Sequence, residues 1–190
     1  MIEDALVFIT DQLNQYLRNQ LALSQDKVYL SSLTNQQGEI AVSEQNVLIF
    51  SLLRAQEETV LKSGPWTYVK GDQSMRSNPA VHMNLYVMFA AYFDDKNYRE
   101  ALKFLSAVVS YFQGHLVFEH QNYPSMPSSI ERLQFEIYHS DFHEINYIWG
   151  MTGAKFMPSM MYKIRMITFD QAPTSSVQPV TSSANPNIGS

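Results

Sequence analysis

The hydrophobic pattern of the chain centres on one stretch, residues 78–93, that is apolar on both faces when read as a strand. One face would carry Val81, Met83, Leu85, Val87 and Phe89. The other would carry His82, Asn84, Tyr86, Met88 and Tyr92. A strand with two mostly apolar faces is typically covered on both sides by other elements. Pro79 suits a strand start because proline cannot donate to the ladder further in. The pattern therefore predicts a central strand.

Helical spacing of apolar residues predicts three helices, at residues 2–22, 97–113 and 141–151. The first has an uncharged polar face rich in Gln and Asn, which either meets solvent or meets another subunit. The second has so broad an apolar stripe that we expect neighbours to cover it on more than one side.

Capping residues support two of these helix starts. Asn97 with Glu100, and Asp141 with Glu144, have the spacing of a capping box, in which the first side chain bonds the backbone three residues on. Gly114 follows the second helix and suits a C-terminal cap, because glycine readily adopts a left-handed conformation.

Several shorter segments are predicted to pair with the central strand. They are residues 26–33, 40–42, 46–56, 133–138 and 160–169. In the last of them, Ile164 and Met166 would point into the core. Lys163 and Arg165 would point outward. Residues 115–120 fit either a short strand or the start of a loop, and a helix stays open for 46–56 on length.

The longest irregular interior stretch is residues 63–79, which is rich in turn-forming residues. It contains Trp66, and Lys70 and Arg76 give it a mild basic excess. Long loops in compact domains are often functional, so one interpretation is an interaction loop. The other is a plain hairpin connection.

Composition divides the chain into one domain, residues 1–170, and a tail, residues 171–190. The tail has no charged residue and is rich in Pro, Ser and Thr, so we expect it to be flexible. The predicted fold class is α/β (α+β). It is a single domain with a mixed, mostly antiparallel sheet of about four to six strands and flanking helices.

Charge and cysteine content exclude several classes of function. The net charge is −5, which disfavours a nucleic-acid surface, and the chain has no cysteine for disulfides or thiolate metal sites. Residues 1–4 are acidic where a signal peptide would be basic. No apolar run approaches the roughly 20 residues that a membrane span needs. We therefore expect a cytoplasmic protein without membrane contact.

One pair of histidines is a candidate catalytic metal site. His139 and His143 have the i, i+4 spacing of a helical metal site, and with Glu119 or Glu144 they would make a small metal-dependent hydrolase. However, Asp141 marks a helix start between them, so one histidine precedes the helix and the other lies within it. No third ligand has a clear spacing. The expectation is no metal, no other cofactor and no enzymatic activity.

Three stretches resemble the tail-terminator or cap proteins of extracellular contractile injection systems, which are phage-tail-like particles such as the antifeeding prophage. They are the opening IEDALVFITDQLNQYLRN, the central segment that begins NPAVHMNLYVMFAAYF, and IERLQFEIYHSDFHEINYIWGMTGAKFMPSMMYKIRMITFD. The most specific parts are NPAVHMNLYVMFAAY and IWGMTGAKFMPSMMYKIRM. The resemblance covers roughly residues 1–170.

The resemblance implies a structural protein that forms a hexameric ring at the distal end of the tube and sheath and stops their polymerisation. The implied partners are further copies of the chain and the sheath and inner-tube proteins, in a particle assembled in the cytoplasm. An adaptor for cargo or partners is the alternative. Ring contacts would come from the polar face of residues 2–22 and the outward side of 160–169. The residues expected to make protein contacts are Trp66, Lys70, Arg76, Lys163 and Arg165.

Overall fold

The computed structural model describes residues 1–58 and 82–168 with their side chains, and three further short strands by their backbone alone. The helices of this part of the chain are α1 (Ile2–Leu21), α2 (Tyr98–Gly114) and α3 (Phe142–Thr152), and a 3-10 turn at Asp95–Asn97 precedes α2. The strands are β1 (Val28–Leu30), β2 (Val47–Glu57), β3 (Thr67–Lys70), β4 (Gln73–Arg76), β5 (His82–Tyr92), β6 (Val117–Glu119), β7 (Ile130–Ile137), β8 (Ser159–Thr168) and β9 (Gln178–Pro179).

Six strands form the main sheet, in the order β1-β2-β5-β8-β7-β6. The β1–β2 pair is parallel, and the other four pairs are antiparallel. This arrangement confirms the predicted mixed, mostly antiparallel sheet. It also confirms β5 as a central strand, because β5 pairs with β2 on one side and with β8 on the other. The strands β3, β4 and β9 form a separate small sheet.

The main sheet is covered on both faces, as the pattern of β5 predicts. Leu85, Val87 and Phe89 join the larger core, which lies between the sheet and the pair α1 and α2. Met88 and Ala90 join a smaller core under α3. The alternation of side chains along a strand places these two sets on opposite faces. The domain is therefore three layers thick at β5.

Aromatic rings fill much of the larger core. Phe50 and Phe89 stack with their centroids 4.4 Å apart across the β2–β5 pair. Phe112 of α2 stacks on Phe135 of β7 at 4.2 Å. Tyr162 of β8 lies edge-on to Phe89 at 5.9 Å. These ring pairs connect α2 and the four inner strands β2, β5, β8 and β7, so much of the aromatic content of the chain stabilises its core.

Buried Asn14 ties α1 to the edge strand β1. Its Oδ1 atom accepts hydrogen bonds from the backbone N–H groups of Lys27 (3.0 Å) and Val28 (2.9 Å). Its Nδ2 atom donates to the carbonyl oxygen of Val28 at 3.0 Å. All the polar atoms of the amide are thus engaged with a strand of only three residues, which has few ladder bonds of its own.

The two predicted capping sites differ in outcome. Asp141 caps α3 as expected, because its Oδ1 atom accepts from the backbone N–H of Glu144 at 2.8 Å. Asn97 makes no side-chain cap at α2, so that prediction is wrong. Its Nδ2 atom instead donates to Oδ1 of Asn46 at 3.1 Å, a contact that spacing along the chain does not reveal. The prediction that Gly114 caps the end of α2 is also wrong, since this residue is the last one of the helix.

Some strand predictions need adjustment. Within residues 26–33 only three residues form a strand, β1, because the chain turns away from β2 after pairing with its first half. The predicted strand at 40–42 is reduced to one bridge between Thr34 and Ile40. The segment 115–120 contains β6, which resolves that alternative as a strand.

The α2 stripe is covered on two sides, by the sheet and by α1, as predicted. One edge of it stays open, since Tyr98 and Leu102 are exposed.

Within residues 63–79, β3 pairs with β4 in antiparallel register, which favours the hairpin interpretation. The prediction for Pro79 lies outside the described residues. Of residues 171–190 the structure describes only β9, so the flexible tail and the boundary at residue 170 stay predictions.

Candidate interaction surface

The sheet face under α3 is only partly covered, and its open part holds two of the predicted contact residues. Along β8, Lys163 is half-buried and Arg165 is exposed. The residues that alternate with them, Ile164 and Met166, are buried. The predicted inward and outward directions along β8 are therefore confirmed. Arg165 Nε lies 3.3 Å from Oε1 of Glu136 on the neighbouring strand β7. This exposed pair fixes local side-chain positions more than it stabilises the fold.

Four large apolar side chains of α3 and the loop after it are exposed. The exposed fractions are 85% for Phe142, 75% for Tyr147, 78% for Met151 and 70% for Phe156. We call these four residues the α3 patch. The helix is apolar on most sides, and only Trp149 is fully buried against the sheet. Clustered exposed side chains of this size typically mark a protein–protein contact.

The α3 patch was not identified from the sequence. The available signal was the i, i+4 pair of Tyr147 and Met151, which places two large apolar side chains on a face other than that of Trp149. Periodicity shows that a helix has two apolar faces, but it does not show which face the sheet covers.

A groove of about 320 Å³ runs between α3 and the sheet beside this patch. Its lining includes Arg54, Tyr86, Tyr138, Glu144, Tyr147 and Met151. The Tyr138 hydroxyl donates a hydrogen bond to the Glu144 carboxylate, and its ring lies edge-on to Tyr86 at 5.2 Å. The bond to Glu144, with burial, raises the pKa of Tyr138 to about 12. The hydroxyl therefore stays protonated near neutral pH and acts as a fixed donor rather than a base.

The candidate metal ligands His139 and His143 do not belong to a ligand cluster in the described part of the chain. Within residues 1–58 and 82–168, no three His, Asp or Glu side chains lie together in a way that could hold a metal ion. Nδ1 of His139 lies 3.2 Å from the carbonyl oxygen of Ile137. Glu119 forms an ion pair with Arg132.

The remaining predicted contact residues fall elsewhere. Lys70 and Arg76 are the last residues of β3 and β4, but their side chains lie outside the described residues, as does Trp66. They are not brought together with Lys163 and Arg165 in any described contact. On α1, three residues of the predicted polar face, Gln15, Asn19 and Gln20, are exposed, so that face is open to solvent or to another subunit. No helix in the described ranges is long and apolar enough to cross a membrane.

A sequence profile of the Pvc16 N-terminal domain matches residues 7–183, which is most of the chain. The chain belongs to the Pvc16 N-terminal domain family. This finding confirms the family resemblance drawn from the quoted sequence stretches. No curated protein sequence matches the chain significantly.

Two cryo-EM structures share the fold of this Pvc16 N-terminal domain. One is the sheath/tube terminator of an extracellular contractile injection system, PVC, in its extended state, with 12% identity and a TM-score of 0.53 over 94% of this chain. The other is the tube-terminating cap of the anti-feeding prophage, with 14% identity and a TM-score of 0.53 over 95%. The chain spans 62% and 60% of the lengths of those two proteins.

Proposed function

We propose that this chain is a structural cap, or tail terminator, that ends tube and sheath polymerisation at the distal end of a contractile injection particle. The observation that carries the proposal is the family match over residues 7–183. It is supported by the fold shared with a sheath/tube terminator and a tube-terminating cap. On this proposal the partners are sheath and inner-tube proteins and further copies of the chain in a hexameric ring, assembled in the cytoplasm.

A cap of this kind works by contact and not by catalysis. It needs a stable domain that presents surfaces to several partners at once. The α3 patch supports this role because four large apolar side chains are exposed on one short segment, next to a groove with fixed polar groups. The open sheet face with Lys163 and Arg165 adjoins it and supplies charged groups for orientation. We assign docking onto the particle to this combined surface.

The test is the length of particles that assemble with and without the chain. With the chain present, we expect a narrow length distribution in negative-stain electron microscopy, and antibody label at one end only. Without it, tubes should vary widely in length or fail to retain sheath, and expression of the intact chain should restore the narrow distribution. An unchanged length distribution in its absence would contradict the cap function. If cargo were then missing from the particles, the adaptor alternative would be supported instead.

A further inference from the structure

We propose that copies of this chain contact one another through two oppositely charged patches on its helical layer. The first, the acidic stripe, is Asp4, Val7 and Asp11 on α1. The second, the basic groove, is lined by Lys96, Arg99 and Lys103 at the start of α2. The acidic stripe of one copy packs on the basic groove of the next. This inference rests on the proposed function, because it identifies the surfaces through which copies would associate in a ring.

The acidic stripe occupies one exposed face of α1. Its members are three and four residues apart, a spacing that places them in a row on the same side of a helix. All three are exposed, with Val7 at 43%. Asp4 pairs with the amino group of Met1, and Asp11 has no ion-pair partner within the described ranges. The stripe thus offers an apolar contact between two carboxylates.

The basic groove has a volume of about 440 Å³ and lies where the end of α1 meets the start of α2. Leu21, Leu23 and Phe104 form its apolar part, and Glu100 is the one carboxylate among its lining residues. Lys96, Arg99 and Lys103 make no ion pair with any described residue. Leu102, 42% exposed, is not among the lining residues, but it lies three residues after Arg99 on α2 and so borders the groove.

The two patches lie at opposite ends of the helical layer because α1 and α2 run antiparallel. Tyr16 of α1 contacts Tyr111 near the end of α2, with ring centroids 4.9 Å apart. Leu21, at the end of α1, shares the basic groove with Phe104 near the start of α2. At 1.5 Å per residue, Asp4 and the groove are separated by roughly 25 Å along α1. One copy can therefore contact two neighbours at once.

Charge complementarity selects a second copy as the occupant. The chain carries a net charge of −5, so the charge of the whole molecule disfavours association except where a basic region meets an acidic one. The basic groove carries positive charges that make no ion pair within the described residues, and the acidic stripe carries negative charges that complement them. An exposed aliphatic residue accompanies each patch, since Val7 lies within the acidic stripe and Leu102 borders the basic groove. A contact between two different patches is heterologous, and it builds a ring when the rotation closes.

The first experiment is a charge-reversal swap measured by light scattering at low salt over a concentration series. One variant carries Asp4→Lys and Asp11→Lys, and the other carries Arg99→Glu and Lys103→Glu. We expect each alone to associate at least about tenfold more weakly than the parent chain, and an equimolar mixture to recover association. The matched control, Glu39→Lys with Glu57→Lys, changes the charge equally at exposed sites elsewhere. Parent-like association of either swapped variant alone would overturn the proposal.

The second experiment detects the contact even where association is weak. The chain has no cysteine, so Val7→Cys and Leu102→Cys introduce unique thiols without altering the charges. Under mild oxidation, the double variant should form a ladder of disulfide-linked species beyond the dimer. Cross-linking no greater than that of a Gln37→Cys control would overturn the contact. A product that stops at the dimer would overturn the head-to-tail arrangement in favour of a two-fold pair.

The outcomes separate this inference from the cap function. If the Asp4→Lys, Asp11→Lys variant still sets particle length, the contact between copies is refuted and the cap function stands. If the Val7→Cys, Leu102→Cys variant cross-links as expected but deletion of the chain leaves particle length unchanged, the cap function fails and the contact stands. Binding of the basic groove to sheath or tube protein without self-association would refute the choice of a second copy as occupant.

Discussion

The Tyr162 hydroxyl is buried in the aromatic core and has no hydrogen-bond partner among the described residues. Such a group loses its hydration without compensation, so removing it should stabilise the protein. We expect Tyr162→Phe to raise the free energy of unfolding at pH 7 by about 1 kcal/mol in urea denaturation. The control is Tyr29→Phe, because the Tyr29 hydroxyl donates a hydrogen bond to Glu44 at 2.6 Å, and it should lower stability by about 1 kcal/mol. Destabilisation by Tyr162→Phe would show that this hydroxyl has a partner.

Tyr162 also predicts how stability responds to alkali. Burial raises the pKa of Tyr162 to about 12, against about 10 in the unfolded chain. Because the unfolded chain ionises at this residue more readily than the folded one, its titration leaves the free energy of unfolding unchanged below pH 10 and lowers it as the pH rises from 10 to 12. By pH 11 the loss is on the order of 1 kcal/mol. Urea denaturation at pH 8 and 11 should show a smaller loss for Tyr162→Phe than for the parent chain. An equal loss in both would refute this assignment.

Single residues were predictable where the neighbouring sequence decides their environment. Alternation along β8 identified the directions of Lys163 and Arg165 correctly. It could not identify the unpartnered state of the Tyr162 hydroxyl. That state depends on Phe112 and Phe135, which come from two other elements. A hydrogen-bond partner can come from any part of the chain, so burial alone does not predict one.

At the scale of elements, the N-terminal cap of α3 provides a direct test. Asp141 satisfies the backbone N–H of Glu144, which has no partner inside the helix. We expect Asp141→Ala to lower the free energy of unfolding by about 1 kcal/mol. Asp141→Asn retains a capping oxygen and should cost only a few tenths. Equal losses in urea denaturation would show that charge, rather than the hydrogen bond, stabilises this helix start.

Asn97 shows why the same spacing failed at α2. The two motifs have the same spacing in sequence. In the folded chain, however, the Asn97 side chain donates a hydrogen bond to Asn46, just before β2, and does not cap α2. Asn46 has a positive φ of 62° and also accepts from the backbone N–H of Asp94 at 3.2 Å. A contact between residues 46 and 97 competes with the local cap, and tertiary geometry decides which forms.

At the scale of the whole molecule, the α3 patch should carry docking onto the particle. We expect Met151→Glu to broaden particle lengths, because it places a charge in an apolar contact, while the purified domain unfolds at an unchanged urea concentration. The matched control is Leu116→Glu, which changes an exposed apolar residue at the end of α2. The measurement is the length distribution in electron micrographs after complementation. Normal lengths with Met151→Glu, or equal broadening with Leu116→Glu, would contradict the assignment.

The sequence by itself determined the elements and the family. Helical and strand periodicity identified α1, α2, α3, β5 and β8, because burial of one face imposes a repeat that can be read locally. It left residues 46–56 open between a strand and a helix, and the pairing of β2 with β5 decides for the strand. The quoted stretches around β5 and β8 were sufficient for the resemblance that the family match confirms. The polar side of α1 was likewise visible as a helical face.

Only the tertiary structure decided the strand order, the open face of α3 and the placement of the charged patches. Strand order depends on pairing between distant segments, and periodicity contains no information about which strands are neighbours. The α3 helix is apolar on most sides, so its exposed face was decided by where the sheet ends. The charges of α1 and α2 were readable, but their separation to opposite ends follows from the antiparallel packing of two helices that lie far apart in the chain.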